Sequence, residues 1–298
     1  MAKRTILVDS ARRELEKHGT ENFPMTVNHD DLWSFEGKNV PIHWHNDLEI
    51  NLIREGEAVF QVYQECYRVR PGEGFLLNRN VPHSCSSAGN EQVRYSTILV
   101  RPDFLYGDFG SDVERKCFQP FLQNSAIPCI HLTGFDENGK EILQKLNQVE
   151  EAFDRKRFCY ELKIKGLLCE AFAMILYGHR QELTKFVPAN LQELERLEKM
   201  LNYLNMHFTE VISLQDLADQ VHLSREVCCR LFKKMTGKTI TGYLEEYRVN
   251  KSFSLVQSGQ YSMTQITEMV GFSNPSRFAS AFRKRFGCNP GEYNSVKH

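Results

Sequence analysis

The sequence predicts an α+β chain: an N-terminal β-barrel with accompanying helices, followed by an all-α C-terminal domain built from two helix-turn-helix units. Three observations carry that prediction. Short apolar runs broken by Gly, Pro and Asn fill residues 20–109, the apolar period turns helical from about Asp136, and one twelve-residue pattern in the last third occurs twice, 49 residues apart. A length of 298 residues suits about two domains, and 41% hydrophobic with 25% charged residues is ordinary for a chain that buries a core in each.

The barrel is read from runs such as Glu57–Tyr63 and Gly74–Leu77, whose brevity and even punctuation fit strands rather than helices. Residues 110–185 read as a helical dimerisation and interdomain segment. Within it Ile164, Leu167, Leu168, Ala171, Phe172 and Ile175 recur at helical spacing. Phe186–Asn190 is the candidate linker, because Pro188 stops a preceding helix. Residues 191–298 then read as helix throughout, beginning with Leu194, Leu197, Leu201 and Leu204.

The repeat aligns Ser213–Ser224 with Ser262–Ser273; after one inserted residue, Phe232 matches Phe282 and Gly237 matches Gly287. It places the two units at about 211–237 and 260–287. Each copy opens on a capping-box pattern, Ser213 with Asp216 and Ser262 with Gln265. A break follows at His222-Leu223 or Gly271-Phe272, and a second helix starts at Ser224, or at Ser273 or Asn274 with Pro275 in its first turn. Cys228, Leu231 and Phe232, and then Phe278, Ala281 and Phe282, face inward by periodicity.

That leaves Arg225, Glu226, Cys229, Arg230, Lys233 and Lys234 outward in the first copy. In the second copy Ser276, Arg277, Ala279, Ser280, Arg283, Lys284 and Arg285 are left. A helix-turn-helix lays its second helix in the major groove, with N-terminal residues on base edges and later cations on phosphates. Glu226, Cys229 and Arg230 are therefore expected to face bases in one groove, and Ser276, Arg277 and Ser280 in the next. Arg225, Lys233, Lys234, Arg283 and Lys284 complete the expected DNA contacts. The helix between the copies, Ile240 to about Val256, spans ~25 Å and would hold the two heads near successive grooves, ~34 Å apart. Two ordinary amphipathic helix pairs with solvated cations are the alternative, but matched caps, turns and basic faces in both copies argue against coincidence.

Charge agrees. Residues 191–298 carry 14 Lys/Arg against 11 Asp/Glu, and from Arg225 to Arg285 the count is 11 to 4, although the whole chain is −1. A basic module behind an acidic one suits double-stranded promoter DNA as partner. No apolar stretch reaches the ~7–15 residues of a signal core or the ~20 of a membrane span, so a cytoplasmic protein with no membrane partner is expected. Nine scattered cysteines, with no C-x-x-C pair, fit reduced thiols. Cys228 beside Cys229 could form a redox switch, but one is expected buried and the other groove-facing.

The C-terminal residues resemble the AraC-type transcription regulators from about Leu194 to Tyr293. The likeness is strongest in Val270–Gly287 and continues through Pro290 and Tyr293. It implies seven helices, two helix-turn-helix subdomains, a connecting helix, and activation as the usual output, with RNA polymerase as partner. Asn294, Thr267 and His222 depart from the family's pattern. The helix around Lys163–Tyr177 resembles the family's dimerisation element, implying a homodimer; packing across the barrel is the competing role.

In the N-terminal part, Gly37-x5-His43-x-His45-x3-Glu49-x6-Gly56 resembles the first cupin motif, and Arg70–Gly74 with Pro82-His83 a degraded second one. His43 and His45, two apart on a strand, point to one face. With Glu49 and His83 they could form a three-nitrogen, one-oxygen cluster suited to a divalent Zn, Mn, Fe or Ni ion. Three readings stand side by side: His43, Trp44, His45, Glu49 and His83 bind a small effector such as a sugar; His43, His45, Glu49 and His83 hold a metal; or they are structural residues satisfied by backbone. Trp33, Trp44, Phe60, Tyr63 and Phe75 are candidate stacking walls.

No nucleophile elbow, phosphate loop, dinucleotide fingerprint or His-Glu-x-x-His occurs, so no catalytic residue is expected. The leading reading is a ligand-responsive, sequence-specific DNA-binding regulator. Its rivals are a metal-dependent cupin enzyme with a DNA-binding tail, and a constitutive regulator whose barrel is only a scaffold.

Overall fold

The computed structural model describes residues 5–9, 12–89, 91–185 and 191–295. The candidate linker Phe186–Asn190 and the side chain of Asn294 lie outside them.

Strand β1 (Met25–Asp31) leads through two short 3-10 turns into β2 (Asn39–His43), β3 (Leu48–Glu55) and the hairpin of β4 (Ala58–Val62) with β5 (Glu65–Val69). Next come β6 (Gly74–Leu77), β7 (His83–Ser87), β8 (Arg94–Val100) and, after helices α1 (Pro102–Tyr106) and α2 (Gln119–Leu122), β9 (Cys129–Leu132). They form two antiparallel sheets, ordered β1-β8-β3-β6-β9 and β2-β7-β4-β5.

The expected helical segment 110–185 therefore contains a strand, since β9 pairs with β6 from Leu77↔Cys129 to Gly74↔Leu132. Four residues hold only two periods of alternation, too few to be read from sequence.

Strand β3 is central, and both its faces are covered. Ile50 and Leu52 join Leu76 and Ile98 on the side packed by α3 (Glu137–Arg155) and α4 (Tyr160–Gly178). Phe75 and Leu77, beside β3, belong instead to the inter-sheet core with Phe60, Val62 and Tyr95. That double burial leaves every residue of Leu48–Ile53 buried although the sequence alternates, with the polar Glu49 and Asn51 on the face turned between the sheets. On α4, Ile164, Leu168, Ala171, Phe172 and Ile175 all face this core, so the predicted apolar stripe packs on the barrel assembly. A short α5 (Arg180–Thr184) follows.

The remaining helices are α6 (Leu191–Met206), α7 (Leu214–Gln220), α8 (Arg225–Thr236), α9 (Ile240–Ser258), α10 (Met263–Met269), α11 (Pro275–Phe286) and α12 (Pro290–Ser295). Two separate cores hold them: one around Leu217, Cys228 and Phe232 with α6, the other around Ile266, Phe278 and Phe282 with Phe253 of α9. The first also includes Ile42 and Tyr63 of the barrel, so the barrel and the first helix-turn-helix share apolar surface. Among the described residues, no helix is long and apolar enough to cross a membrane.

Candidate nucleic-acid interface and barrel centre

The repeat is realised element by element. Helices α7 and α10 have seven residues each, and α8 and α11 twelve each. The one-residue insertion is absorbed in the second turn: Ser224 caps α8 by accepting from Val227 N, whereas Asn274, not Ser273, caps α11 by accepting from Arg277 N. Ser262 and Gln265 form the reciprocal capping box; Ser213 accepts from Asp216 N, but Asp216 is not seen to reciprocate. At the breaks both His222 (φ 54°) and Gly271 (φ 76°) take the left-handed conformation. Any L side chain at 271 would also collide, because a Cβ there would stand 2.6 Å from Thr209 Cα.

All the predicted DNA contacts are exposed: Arg225, Glu226, Cys229, Arg230, Lys233 and Lys234 on α8, and Ser276, Arg277, Ser280, Arg283 and Lys284 on α11. Beneath them Cys228 and Phe232, and Phe278 and Phe282, are buried. Three side chains are less free than their exposure suggests. Lys234 Nζ lies 2.6 Å from Glu193 Oε2, and Arg277 Nη2 lies 3.6 Å from Glu245 Oε2. Hydrogen bonds from its own backbone N–H and from the Ser224 hydroxyl hold the Glu226 carboxyl below its ordinary pKa, so it helps cap its own helix.

Arg285, expected outward, corrects the reading. It folds back so that Nε reaches Asn250 Oδ1 at 3.4 Å, and burial lowers its pKa. Position 285 follows Phe282 by three residues, which turns it toward the core side rather than the groove side. Cys228 is likewise inward, its thiol pushed up to about 11 by burial, which disfavours the thiolate a redox switch needs.

In the barrel, β2 carries a register irregularity between Val40 and His43. It lets Val40 and His43 point between the sheets while Ile42 points out to the helical domain. His43, His45, Glu49 and His83 are all buried, and one ligand atom from each lies within 4.8 Å of the others. Each imidazole is oriented through Nδ1 by a backbone carbonyl: Pro41 O at 3.0 Å for His43, Asp47 O at 3.1 Å for His45, and Val81 O at 2.8 Å for His83. Glu49 Oε2 lies 2.7 Å from His45 Nε2 and 3.2 Å from His83 Nε2, and Glu49 Oε1 accepts from Asn51 Nδ2 at 2.7 Å.

Burial alone would raise the Glu49 carboxyl, but the His83 charge and the His45 hydrogen bond outweigh it and hold the group well below its usual range. Burial, reinforced by His83, lowers His43 to about 3. Burial works against a charged His83 too, yet Glu49 raises it. The cavity beside the cluster is small, about 50 Å³, and its lining includes Asn51, Phe60, Thr97 and, from the N-terminal segment, Glu14 and His18.

Trp44 does not join its neighbours. It is buried with the Arg13 guanidinium 5.5 Å from its ring, facing away from the cluster as strand alternation requires. Trp33 is exposed under Lys38, and Tyr63 packs on the first helix-turn-helix, so of the expected walls Phe60, stacked on Phe75 at 4.7 Å, remains.

Asn51 and Thr97 were not foreseen. Asn51 could have been, since it follows Glu49 by two on the same strand face. A second, larger cavity of about 490 Å³ had no sequence signal. It lies at the seam between the domains, bounded by Ile6, Leu7, Arg12, Asn39, Tyr247, Asn250 and Lys251 among others.

Comparisons with known proteins bear on both halves. A family model described as an AraC-like ligand binding domain matches residues 32–172, and a helix-turn-helix domain model matches 217–295. The chain is similar to the uncharacterized HTH-type transcriptional regulator YdeC of Bacillus subtilis, 27% identical over 98% of this chain and 99% of that one. It is also similar to the melibiose operon regulatory protein of Escherichia coli, 22% identical over 85% of this chain and 83% of that one. Among solved structures, ToxT of Vibrio cholerae matches at a TM-score of 0.44 and 16% identity, covering 91% of this chain and 98% of ToxT. With its barrel half and its helical half matched in order along one polypeptide, the chain belongs to the AraC family: a DNA-binding, helix-turn-helix transcriptional regulator that carries an AraC-like ligand-binding domain.

Proposed function

We propose that the regulator reads two neighbouring major grooves of promoter DNA, through Arg225, Glu226, Cys229, Arg230, Lys233 and Lys234 on α8 and through Ser276, Arg277, Ser280, Arg283 and Lys284 on α11. The observation that carries this is the pair of twelve-residue helices, capped and cored alike, each leaving its cationic side exposed. Footprinting tests it: protection should cover two major-groove segments one helical turn apart, and separate substitutions in α8 and α11 should each erase one segment. Erasure of both by either set, or protection of a single groove, contradicts the reading.

The protein responds, in this proposal, to a small-molecule effector. Ligand pockets for such molecules occupy ~300–1,000 Å³. The barrel cavity at about 50 Å³ falls well short, whereas the seam cavity at about 490 Å³ suits a sugar-sized ligand. Its lining pairs the cations Arg12 and Lys251 with the amides of Asn39 and Asn250, around an apolar floor that includes Phe35 and Pro41. A relative named for the melibiose operon makes sugars the first class to screen. A ligand at the seam stabilises by mass action, so thermal shift should find a compound whose effect is lost in Lys251→Ala. A scaffold-only barrel would leave both proteins unmoved by the whole panel.

Sensing rather than catalysis, action as an activator that contacts RNA polymerase, and a cytoplasmic location complete the reading. We place a homodimer contact on the outer side of α4, because its inner side is spent on the barrel core while Leu162 and Tyr177 are about 70% exposed (72% and 70%). Light scattering should give two chains for the native protein and one for Leu162→Glu.

A further inference from the structure

We propose that Glu245, on the helix that joins the two units, is a positioning residue for Arg277: it holds the guanidinium toward a base and away from the DNA backbone, and so sets sequence preference at one operator position. This rests on the base contact proposed above for Arg277, and not on the seam cavity or on any effector.

Arg277 stands in the first turn of α11, where Asn274 Oδ1 accepts its backbone N–H at 2.8 Å. From that end of a recognition helix a long side chain can reach base edges and backbone phosphates alike, so its neighbours decide between them. Two neighbours come from α9. Glu245 Oε2 lies 3.6 Å from Arg277 Nη2. Arg248, three residues further along the same face, is tethered by donating from Nε to Phe208 O at 2.6 Å and from Nη2 to Glu210 O at 2.8 Å. Burial lowers the pKa of Arg248 and the nearby Arg277 charge lowers it further, so the two cations repel. Arg277 is thus flanked by a carboxylate that attracts it and a fixed cation that pushes it away. The adjacent carboxylate, Glu246, is taken by Lys238 at 2.5 Å, and Glu245 is the one turned to α11.

A guanidinium carries five N–H donors in a rigid fork, so an ion pair on the Nη2 side leaves donors for a guanine. With 63% of the Arg277 side chain exposed, that fork reaches a groove without repacking. A phosphate oxygen brings a full negative charge against the Glu245 carboxylate and is repelled; guanine O6 and N7 are neutral acceptors and are repelled far less. Glu245 therefore discriminates between the two destinations of Arg277. A second pair supplies the contrast. Lys234 Nζ lies 2.6 Å from Glu193 Oε2, but Lys234 sits in the last turn of α8, among the cations expected on phosphates. Arg230, the arginine of α8 proposed to read a base, has no ion-pair partner among the described residues. A carboxylate beside a phosphate contact lowers affinity for every sequence, whereas one beside a base contact changes which sequence is preferred.

The test uses the full chain and an operator that the native protein selects from a random double-stranded DNA pool, followed by competition binding on each single-base variant of that operator. In Glu245→Gln, discrimination at one base pair should fall about two- to fivefold, the range an exposed ion pair supplies, with the other positions unchanged. Arg277→Ala should flatten the same position further. Glu193→Gln should instead tighten binding to all variants alike and steepen the salt dependence by about one, flattening no position. Each Gln variant removes one negative charge near the duplex, so an effect of charge alone would make the two behave alike. Should Glu245→Gln tighten binding uniformly, as Glu193→Gln does, while Arg277→Ala still flattens one position, the inference is overturned and the base contact of Arg277 stands. Should Arg277→Ala weaken all variants alike, the base contact falls and the inference falls with it.

Discussion

His222 occupies the left-handed region at φ 54°, where its counterpart in the second unit is Gly271. The left-handed conformation costs an ordinary residue ~1–2 kcal/mol, while glycine's extra freedom in the unfolded chain costs ~0.5–1 kcal/mol. Because the His222 side chain is exposed and its loss forfeits little packing, His222→Gly should stabilise the protein by up to ~1 kcal/mol. Urea unfolding would register this as a higher midpoint at unchanged slope; a lower midpoint would mean that the imidazole makes a stabilising contact. On the exposed face proposed to meet the groove, the residues should divide by role. Arg230→Ala should relax base preference at one operator position by ~1–3 kcal/mol, whereas Lys233→Ala should weaken binding to all sequences alike and lower the salt slope by about one. Competition binding on single-base operator variants at several salt concentrations separates the two outcomes. What the sequence made legible here was which side chains lie outward, since that follows from a 3.6-residue period. What it hid was where long side chains bend: Glu226 back onto its own helix start, Lys234 across to Glu193, Arg285 inward to Asn250. The last two depend on neighbours far away in sequence, whereas Glu226 turns to a cap only two residues before it.

Among the elements, the two turn-and-helix units were readable because each rests on local signals: a capping serine, a break, a second cap, an inward trio. The second unit shows how tightly those signals bind. Gly271 packs against the backbone after α6, with Phe208 O and Thr209 O within 2.8 Å of where a Cβ would sit. Its φ of 76° adds a conformational penalty for any other residue. Gly271→Ala should therefore cost well over ~1 kcal/mol, more than the effect of conformation alone. The damage should concentrate in the core around Ile266 and Phe282, so hydrogen exchange should quicken in α10 and α11 ahead of α7 and α8. Uniform acceleration would instead show that the two units unfold together. The barrel strands were harder to read. β9 is four residues long and pairs with β6, which lies more than fifty residues earlier, so its existence is a tertiary fact rather than a local one. The irregularity in β2 is of the same kind: alternation predicts that His43 and His45 share a face, but only the pairing with β7 sends Ile42 out to the helices.

Across the whole molecule, the barrel meets the DNA-binding half through several contacts, three of which differ in kind. Ile42 and Tyr63 enter the apolar core of the first unit. Gln61 Nε2 donates to Thr236 O at 3.1 Å, at the C-terminal end of α8. Arg12, itself left-handed at φ 68°, donates from Nε to Tyr243 Oη at 3.1 Å and lies 4.9 Å from the Tyr247 ring, while Tyr243 Oη donates onward to Asn205 Oδ1 at 3.0 Å. The apolar contact is non-directional, but the Arg12 contact is not: it ties one short N-terminal segment to α9, the helix common to both units. A partly buried hydrogen bond from a charged donor contributes ~1.5–3 kcal/mol, and stacking on a tyrosine ~0.5–1 kcal/mol, less what the strained backbone costs. Arg12→Ala keeps that strain and removes both contacts, so it should ease opening of the seam by ~2–4 kcal/mol. Since 1.4 kcal/mol corresponds to a factor of ten in an equilibrium, exchange of α9 amides around Tyr243 and Tyr247 should rise more than tenfold while the sheet core around Ile50 and Ile98 stays protected. Unchanged exchange in α9 would locate the cohesion of the two halves in the Ile42 and Tyr63 contact instead. In such a joint the register of the two halves would be held by the Gln61–Thr236 hydrogen bond rather than by Arg12.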